Sequence, residues 1–236
     1  MEKALLLSPS EAERIAPDKA LHCPTFIIGS EFCQNQVPSL PALKRLAHGF
    51  PKTSLVLATS LMTDKGLRRW ERLLGALPRG LVSQIIVNDW GLLPAAGKKG
   101  LFTLSIGRLL AREFVRMDRT WAAEFCKTRR VEAVEADTPE LAATARTLRL
   151  KISWHRPLGF TAVTTFCPFE KHFSQLCSHS CEGRLLKLAN HHLPQPLFLG
   201  EKAYFSPLKS PPSRSGQVWR EVWTLNFLRN AATARS

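Results

Sequence analysis

The chain has 236 residues, 44% of them hydrophobic, with 33 Lys and Arg against 19 Asp and Glu for a formal net charge of +14. That is enough apolar material for one sizeable core. The sequence has no run of 18 apolar residues, which excludes a helical membrane-spanning protein.

At the N-terminus, the apolar run of Ala4, Leu5, Leu6 and Leu7 is too short for a signal-peptide core, and Glu11 and Glu13 follow closely. A cytoplasmic location is therefore expected, where thiols stay reduced. The six cysteines are expected to be ligands, nucleophiles or core residues rather than disulfides. Short apolar runs at 25–29, 54–59, 84–88, 101–106, 131–134 and 150–154 predict strands buried on both faces of a parallel sheet. Between them, Leu40, Leu43, Leu46 and Ala47 recur at helical spacing. So do Leu67, Trp70, Leu73, Leu74 and Leu77, before Pro78 and Gly80 stop the helix. Residues 121–127 and 139–148 predict two more helices, the second with Thr138 as N-cap.

Strand alternating with helix predicts an α/β fold built of right-handed βαβ units. Six such units before residue 155 predict an incomplete or irregular (β/α) TIM-like barrel, with a doubly wound open sheet as the alternative. No glycine-rich phosphate loop is present. After Trp154 a cysteine-rich C-terminal segment, residues 155–205, adds His155, His172, His179, His191 and His192 and shows little periodicity. Residues 206–216 have turn chemistry. In 218–228 the four-residue spacing of Trp219, Trp223 and Phe227 predicts a helix docking back on the same single domain, residues 1–236.

The charge is uneven. Residues 61–130 hold 14 Lys and Arg against 6 Asp and Glu. This basic region suits RNA, anionic lipid or an acidic partner, or is simply a set of solvated helix faces. No RNA-binding signature with interleaved aromatics appears, and the single tyrosine is Tyr204.

Cys167, Cys177 and Cys181 are spaced C-x(9)-C-x(3)-C. One turn of chain can point Cys177 and Cys181 at a common centre. Cys33 follows the strand at 25–29, and loops after the strands of a parallel α/β sheet gather at one face. Cys23 precedes that strand and belongs at the opposite end, while Cys126 falls in a predicted helix. The strand-end rule thus selects Cys33 as the fourth thiol. Four thiolates suit an iron–sulfur cluster or tetrahedral zinc, with His172 or His179 as substitute zinc ligands. Core cysteines without metal are the third reading.

Ile28-Gly29-Ser30-Glu31-Phe32-Cys33, Ile86-Val87-Asn88-Asp89-Trp90-Gly91-Leu92-Leu93 and Ser105-Ile106-Gly107-Arg108-Leu109-Leu110 carry a further signal. So do Pro157-Leu158-Gly159, Phe166-Cys167, Cys177-x(3)-Cys181 and residues 197–205. In this order they resemble the collagenase-like U-32 peptidase family, and within it the members that serve ubiquinone biosynthesis. The resemblance covers most of residues 24–206. It implies a (β/α) barrel, an oxygen-sensitive [4Fe–4S] cluster on Cys33, Cys167, Cys177 and Cys181, and oxygen-independent hydroxylation. It also implies a heterodimer with a second protein of the family. The chain departs from the family in lacking a glycine before Pro157 and the Glu-x-Phe peptidase signature. Its Cys167–Cys177 gap is also tight.

Asp89 and Arg108, at or after strand ends, are candidate catalytic residues. Asp89 would accept protons or hydrogen bonds, and Arg108 would clamp a carboxylate. The plainer expectation is that Asp89 caps a helix and Arg108 starts one. Glu31 is expected to support Cys33 by hydrogen bonding. The alternatives are an RNA-base hydroxylating member of the family and a zinc-bearing structural module. Peptidase activity is disfavoured, since neither Gly-x-Ser-x-Gly nor His-Glu-x-x-His occurs.

Overall fold

In chain order the strands are β1 (Glu2–Leu7), β2 (Thr25–Gly29), β3 (Ser54–Ala58), β4 (Gln84–Val87), β5 (Thr103–Ile106) and β6 (Val131–Ala136). They continue with β7 (Lys151–Arg156), β8 (Leu158–Val163), β9 (Leu186–Leu188), β10 (Leu197–Gly200), β11 (Ala203–Pro207) and β12 (Val218–Thr224). This computed structural model describes residues 1–15, 23–97, 101–171, 177–208 and 218–224. Strands β1 to β7 and β12 form a closed parallel barrel in the order β1-β12-β7-β6-β5-β4-β3-β2. Around it pack α1 (Pro9–Arg14), α2 (Leu40–Gly49), α3 (Asp64–Ala76), α4 (Leu93–Gly97), α5 (Arg108–Phe114), α6 (Arg119–Thr128) and α7 (Pro139–Thr147). The fold is α/β with the architecture of a TIM-like barrel.

Each strand is buried on both faces because its period-2 alternation divides apolar side chains between two cores. Leu5, Leu7, Phe26, Ile28, Leu55, Leu57, Ile85 and Val87 point outward and meet Leu43, Trp70, Leu74 and Leu110. Ala4, Leu6, Ile27, Val56, Ala58, Ile86 and Val222 fill the barrel. The inner floor is polar: Arg220 donates to Glu2 Oε1 at 3.1 Å and to Gln84 Oε1 at 2.8 Å. Helix starts follow local chemistry. Ser8 and Glu11 make a reciprocal capping box, and Thr138 accepts from Leu141 N as expected from the sequence.

The barrel is closed by eight strands and so is not incomplete, but its strand–helix alternation is irregular, since among the described residues no helix follows β7. Two strands escape the periodicity. β1 comes from an apolar run for which the sequence predicts no strand, and 218–224 falls in the segment 218–228 that predicts a helix. Trp219 and Trp223 lie four apart, one helical turn, but the strand carries both, with a register shift between Val218 and Arg220. Arg220 and Val222 alternate with them into the barrel, and β12 pairs in parallel with both β1 and β7. Phe227 and residues 209–217 lie outside the described residues.

In place of a helix after β7, the chain makes a second sheet, antiparallel, in the order β8-β11-β10-β9. It docks on the barrel through Phe32, Leu158, Phe160, Ala203 and Phe205. The Phe32 and Phe160 rings stack with centroids 4.8 Å apart. The sheet therefore sits at the C-terminal ends of the strands, where (β/α) barrels build their sites. The described residues of the segment 155–205, patternless to periodicity, supply most of this roof.

Candidate functional site

The loop after β2 is the first element of the site. Gly29, at φ +121°, lies so close to β3 that a Cβ would meet Ala58 O at 2.3 Å, so only glycine turns the chain there. Ser30 Oγ then accepts the backbone N–H groups of Phe32 (2.9 Å) and Cys33 (3.0 Å) and donates its own proton to the Glu201 carboxylate. Glu201 occupies the β10–β11 turn of the roof. Ser30 thus joins the barrel loop carrying Cys33 to the sheet above.

Cys33, Cys167 and Cys181 are buried, and Cys177 is partly so. The thiol of Cys181 feels the charges of Cys33, Cys177 and Cys167, and Cys33 feels Cys177, so the four predicted thiols share one neighbourhood. Three of them receive a backbone N–H: Asn35 to Cys33, Glu170 to Cys167 (3.4 Å) and His179 to Cys177 (3.3 Å). Burial, reinforced by Glu201, pushes the Cys33 thiol up to about 12. Burial, Glu201 and the other three thiols push Cys181 the same way. Without a cation Cys33 and Cys181 stay protonated. Cys23, bonded to Lys3 O at 3.4 Å, lies at the opposite end of the barrel, and Cys126 is packed in α6. Among the described residues, no three His, Cys, Asp or Glu side chains form a group able to hold a metal ion. His172 lies outside those residues.

Beside Cys181 is a cavity of about 60 Å³, lined also by Ser30, Glu31, Gln36, Arg108 and Glu201 among others. Its floor is a buried ion network. Arg108 is the first residue of α5 and only 2% exposed; its Nη2 lies 2.7 Å from Glu31 Oε2 and its Nη1 3.2 Å from Asp137 Oδ2. The backbone N–H of Arg108 also donates to Glu31 Oε1, and Asn88 Nδ2 to the same oxygen at 3.3 Å. Burial alone would raise Glu31, but the charges of Arg108 and His155 and the Arg108 hydrogen bonds hold it at about 2. Behind it, Glu135 accepts from Ser105 at 2.6 Å and pairs with His155 Nε2 at 2.8 Å. Asp137 Oδ2 also accepts from Phe160 N, fastening β8 to the barrel.

Asp89 stands apart from the thiols. Its carboxylate accepts from Gly91 N (2.8 Å) and Met62 N (3.1 Å), capping the 3-10 turn Trp90–Leu92. Arg108 starts a helix and also anchors the cavity floor. Sequence reasoning missed Glu201, Glu135, Asp137 and Asn88. The signal for Glu135 was there: in Val131-Glu132-Ala133-Val134-Glu135-Ala136 a carboxylate in a buried strand needs a partner inside the barrel. Glu201, in a turn far from every barrel strand, gave none.

Burial raises Glu201 to about 7, with Glu11 and Glu31 adding to the effect and the Ser30 bond opposing it. The unfolded chain ionises near 4.5 while the folded one holds its proton to about 7. The stabilisation is therefore present below 4.5 and lost as pH rises through 7, on the order of 3 kcal/mol. In metal-free protein, Glu201→Gln should flatten the stability profile between these pH values, as read by urea unfolding. At Gly107 an added Cβ would meet Asn88 Nδ2 at 2.1 Å. Gly107→Ala should displace the Asn88–Glu31 contact and cost about 1–3 kcal/mol in the same assay.

No protein-family model matches the sequence, and neither does any curated protein.

Proposed function

We propose that the chain is an iron–sulfur protein whose [4Fe–4S] cluster is held by Cys33, Cys167, Cys177 and Cys181. In this reading it belongs to the U-32 peptidase-like family and serves, as a heterodimer with a second member, as a subunit for oxygen-independent hydroxylation in ubiquinone biosynthesis. What supports the reading is that Cys33, Cys167, Cys177 and Cys181, from distant parts of the sequence, interact electrostatically near the mouth of a closed barrel. The donor set fits the group: thiolates are the usual cluster ligands, and backbone N–H bonds to sulfur are a known means of tuning one. Cys33 and Cys181, whose burial resists ionisation, also call for a strong local positive charge before they become thiolates.

When bound, the cluster would supply one-electron transfer at the cavity roof. The protein's own part is to bury the thiols and to keep Glu31 ionised and Arg108 charged in the floor. It also links the Cys33 loop to the roof through Ser30 and Glu201. The test is purification without oxygen, followed by iron, sulfide and zinc assays. The expected product is brown, with broad absorption near ~400 nm. Stoichiometric zinc without sulfide would overturn the cluster reading.

A further inference from the structure

The exposed large hydrophobic side chains among the described residues are Met1, Leu61, Trp90, Val115, Trp121, Val163 and Leu186. Four of these fall on one side of the barrel. Trp90 stacks on Phe114, the residue before Val115, with centroids 5.6 Å apart and rings at 17°. Trp121 stacks on Phe125 at 5.2 Å, and Phe125 meets the Trp90 ring edge at 5.6 Å. Leu61 precedes Met62, whose N–H is bonded to Asp89 beside Trp90. Gly91, next in the chain, lies against Leu67 of α3. Leu61, Trp90, Val115 and Trp121 thus mark an exposed apolar ridge, in which the two tryptophans are joined through Phe114 and Phe125. Their relative accessibilities are 53%, 39%, 47% and 50%.

Cations fringe this ridge. Arg68, Arg69 and Arg72 lie on the exposed side of α3, Arg116 and Arg119 flank Val115 and Trp121, and Arg129 lies over the Phe125 ring at 6.0 Å. Among the described residues none of the six forms a salt bridge. A second copy of this chain, at +14, would be repelled. A nucleic acid would satisfy the arginines, but one face of each tryptophan is already covered by a phenylalanine. Leu61 and Val115 offer a base no stacking surface. Exposed aliphatic and indole groups beside exposed arginines match an interface of hydrocarbon, headgroup and phosphate.

We propose that this ridge docks the protein on an anionic lipid bilayer. Leu61 and Val115 would enter the acyl boundary, Trp90 and Trp121 would lie at headgroup level, and the arginines would meet lipid phosphates. No helix among the described residues is long and apolar enough to cross a membrane, so the attachment is peripheral. It combines the two signals, apolar insertion and a basic fringe, that reversible anchoring requires. The inference does not depend on the cluster.

Flotation of the full chain tests it, with vesicles of phosphatidylcholine alone and with roughly one third phosphatidylglycerol added. Binding is expected only to the anionic vesicles and should weaken with salt. Each surface cation contributes about fivefold, so Arg116→Glu with Arg119→Glu should weaken partitioning by roughly 25-fold or more. Val115→Ser with Trp121→Ser, both exposed and so compatible with an unchanged circular dichroism spectrum, should abolish it. Equal binding to neutral vesicles, no binding, or wild-type binding by both variants would each overturn the proposal. So would displacement of the vesicles by a short single-stranded RNA whose own binding needs Trp121, which would assign the ridge to nucleic acid.

Discussion

Cys33→Ala is expected to lose iron as completely as Cys181→Ala, although Cys33 lies far from the other three cysteines in the sequence. Both thiols are buried at the barrel mouth and interact electrostatically. Removing either leaves a corner that no other described cysteine can fill. Cys23 is at the opposite end of the barrel, and Cys126 is enclosed by α6 and its neighbours. Iron should fall from about four atoms per chain to near zero in each of the four ligand variants, with the absorption near ~400 nm. Cys23→Ala and Cys126→Ala should keep both. Full iron in Cys33→Ala would overturn the four-ligand assignment, whereas equal loss in Cys126→Ala would point to unfolding rather than ligation.

Arg108→Met should be the most destabilising single substitution in the floor of the site. It leaves the carboxylates of Glu31 and Asp137 buried without their cation, and breaking a buried pair in this way costs about 3–5 kcal/mol. For a chain of this size that corresponds to a fall of roughly 6–20 °C in Tm. The pH dependence separates lost charge from lost packing. Glu31, held at about 2, contributes stability that is present above its unfolded value near 4.5 and lost as pH falls toward 2. In Arg108→Met the unpaired carboxylates are relieved by protonation. The gap between variant and wild type should therefore narrow as pH falls through this window. A gap constant in pH would show that Arg108 acts only by filling space. Adding Glu31→Gln and Asp137→Asn should restore part of the lost stability.

Several features were legible because they are local. The six central strands follow from short runs of Val, Ile and Leu, and Thr138 and the α3 stripe mark helices by cap and period. The strand-end rule puts Cys33 at the mouth and Cys23 at the far end, because a parallel barrel gathers every post-strand loop on one face. Asp89 shows the limit of that rule: it ends β4 as expected, yet its carboxylate is taken up by backbone N–H groups of its own turn and of Met62. The same limit applies to the basic region. Arg108 belongs to it by position but lies in the core, and Arg112 turns back over the Phe160 ring at 4.2 Å.

Local pattern is thus enough for the α/β class and for the position of most strands and helices. Each of these rests on neighbours within a turn or a strand. Closure of the barrel is a different matter, because β1 and β12 acquire their meaning from pairing with each other. So is the company of the thiols: Glu201 reaches Ser30 from a turn 171 residues away, and Arg108 reaches Glu31 across 77. The aromatic ridge was hidden for the same reason. Trp90, Phe114, Trp121 and Phe125 come from separate segments, and no linear motif records that their rings meet. Such contacts depend on how the chain returns to itself, which periodicity and propensity do not encode.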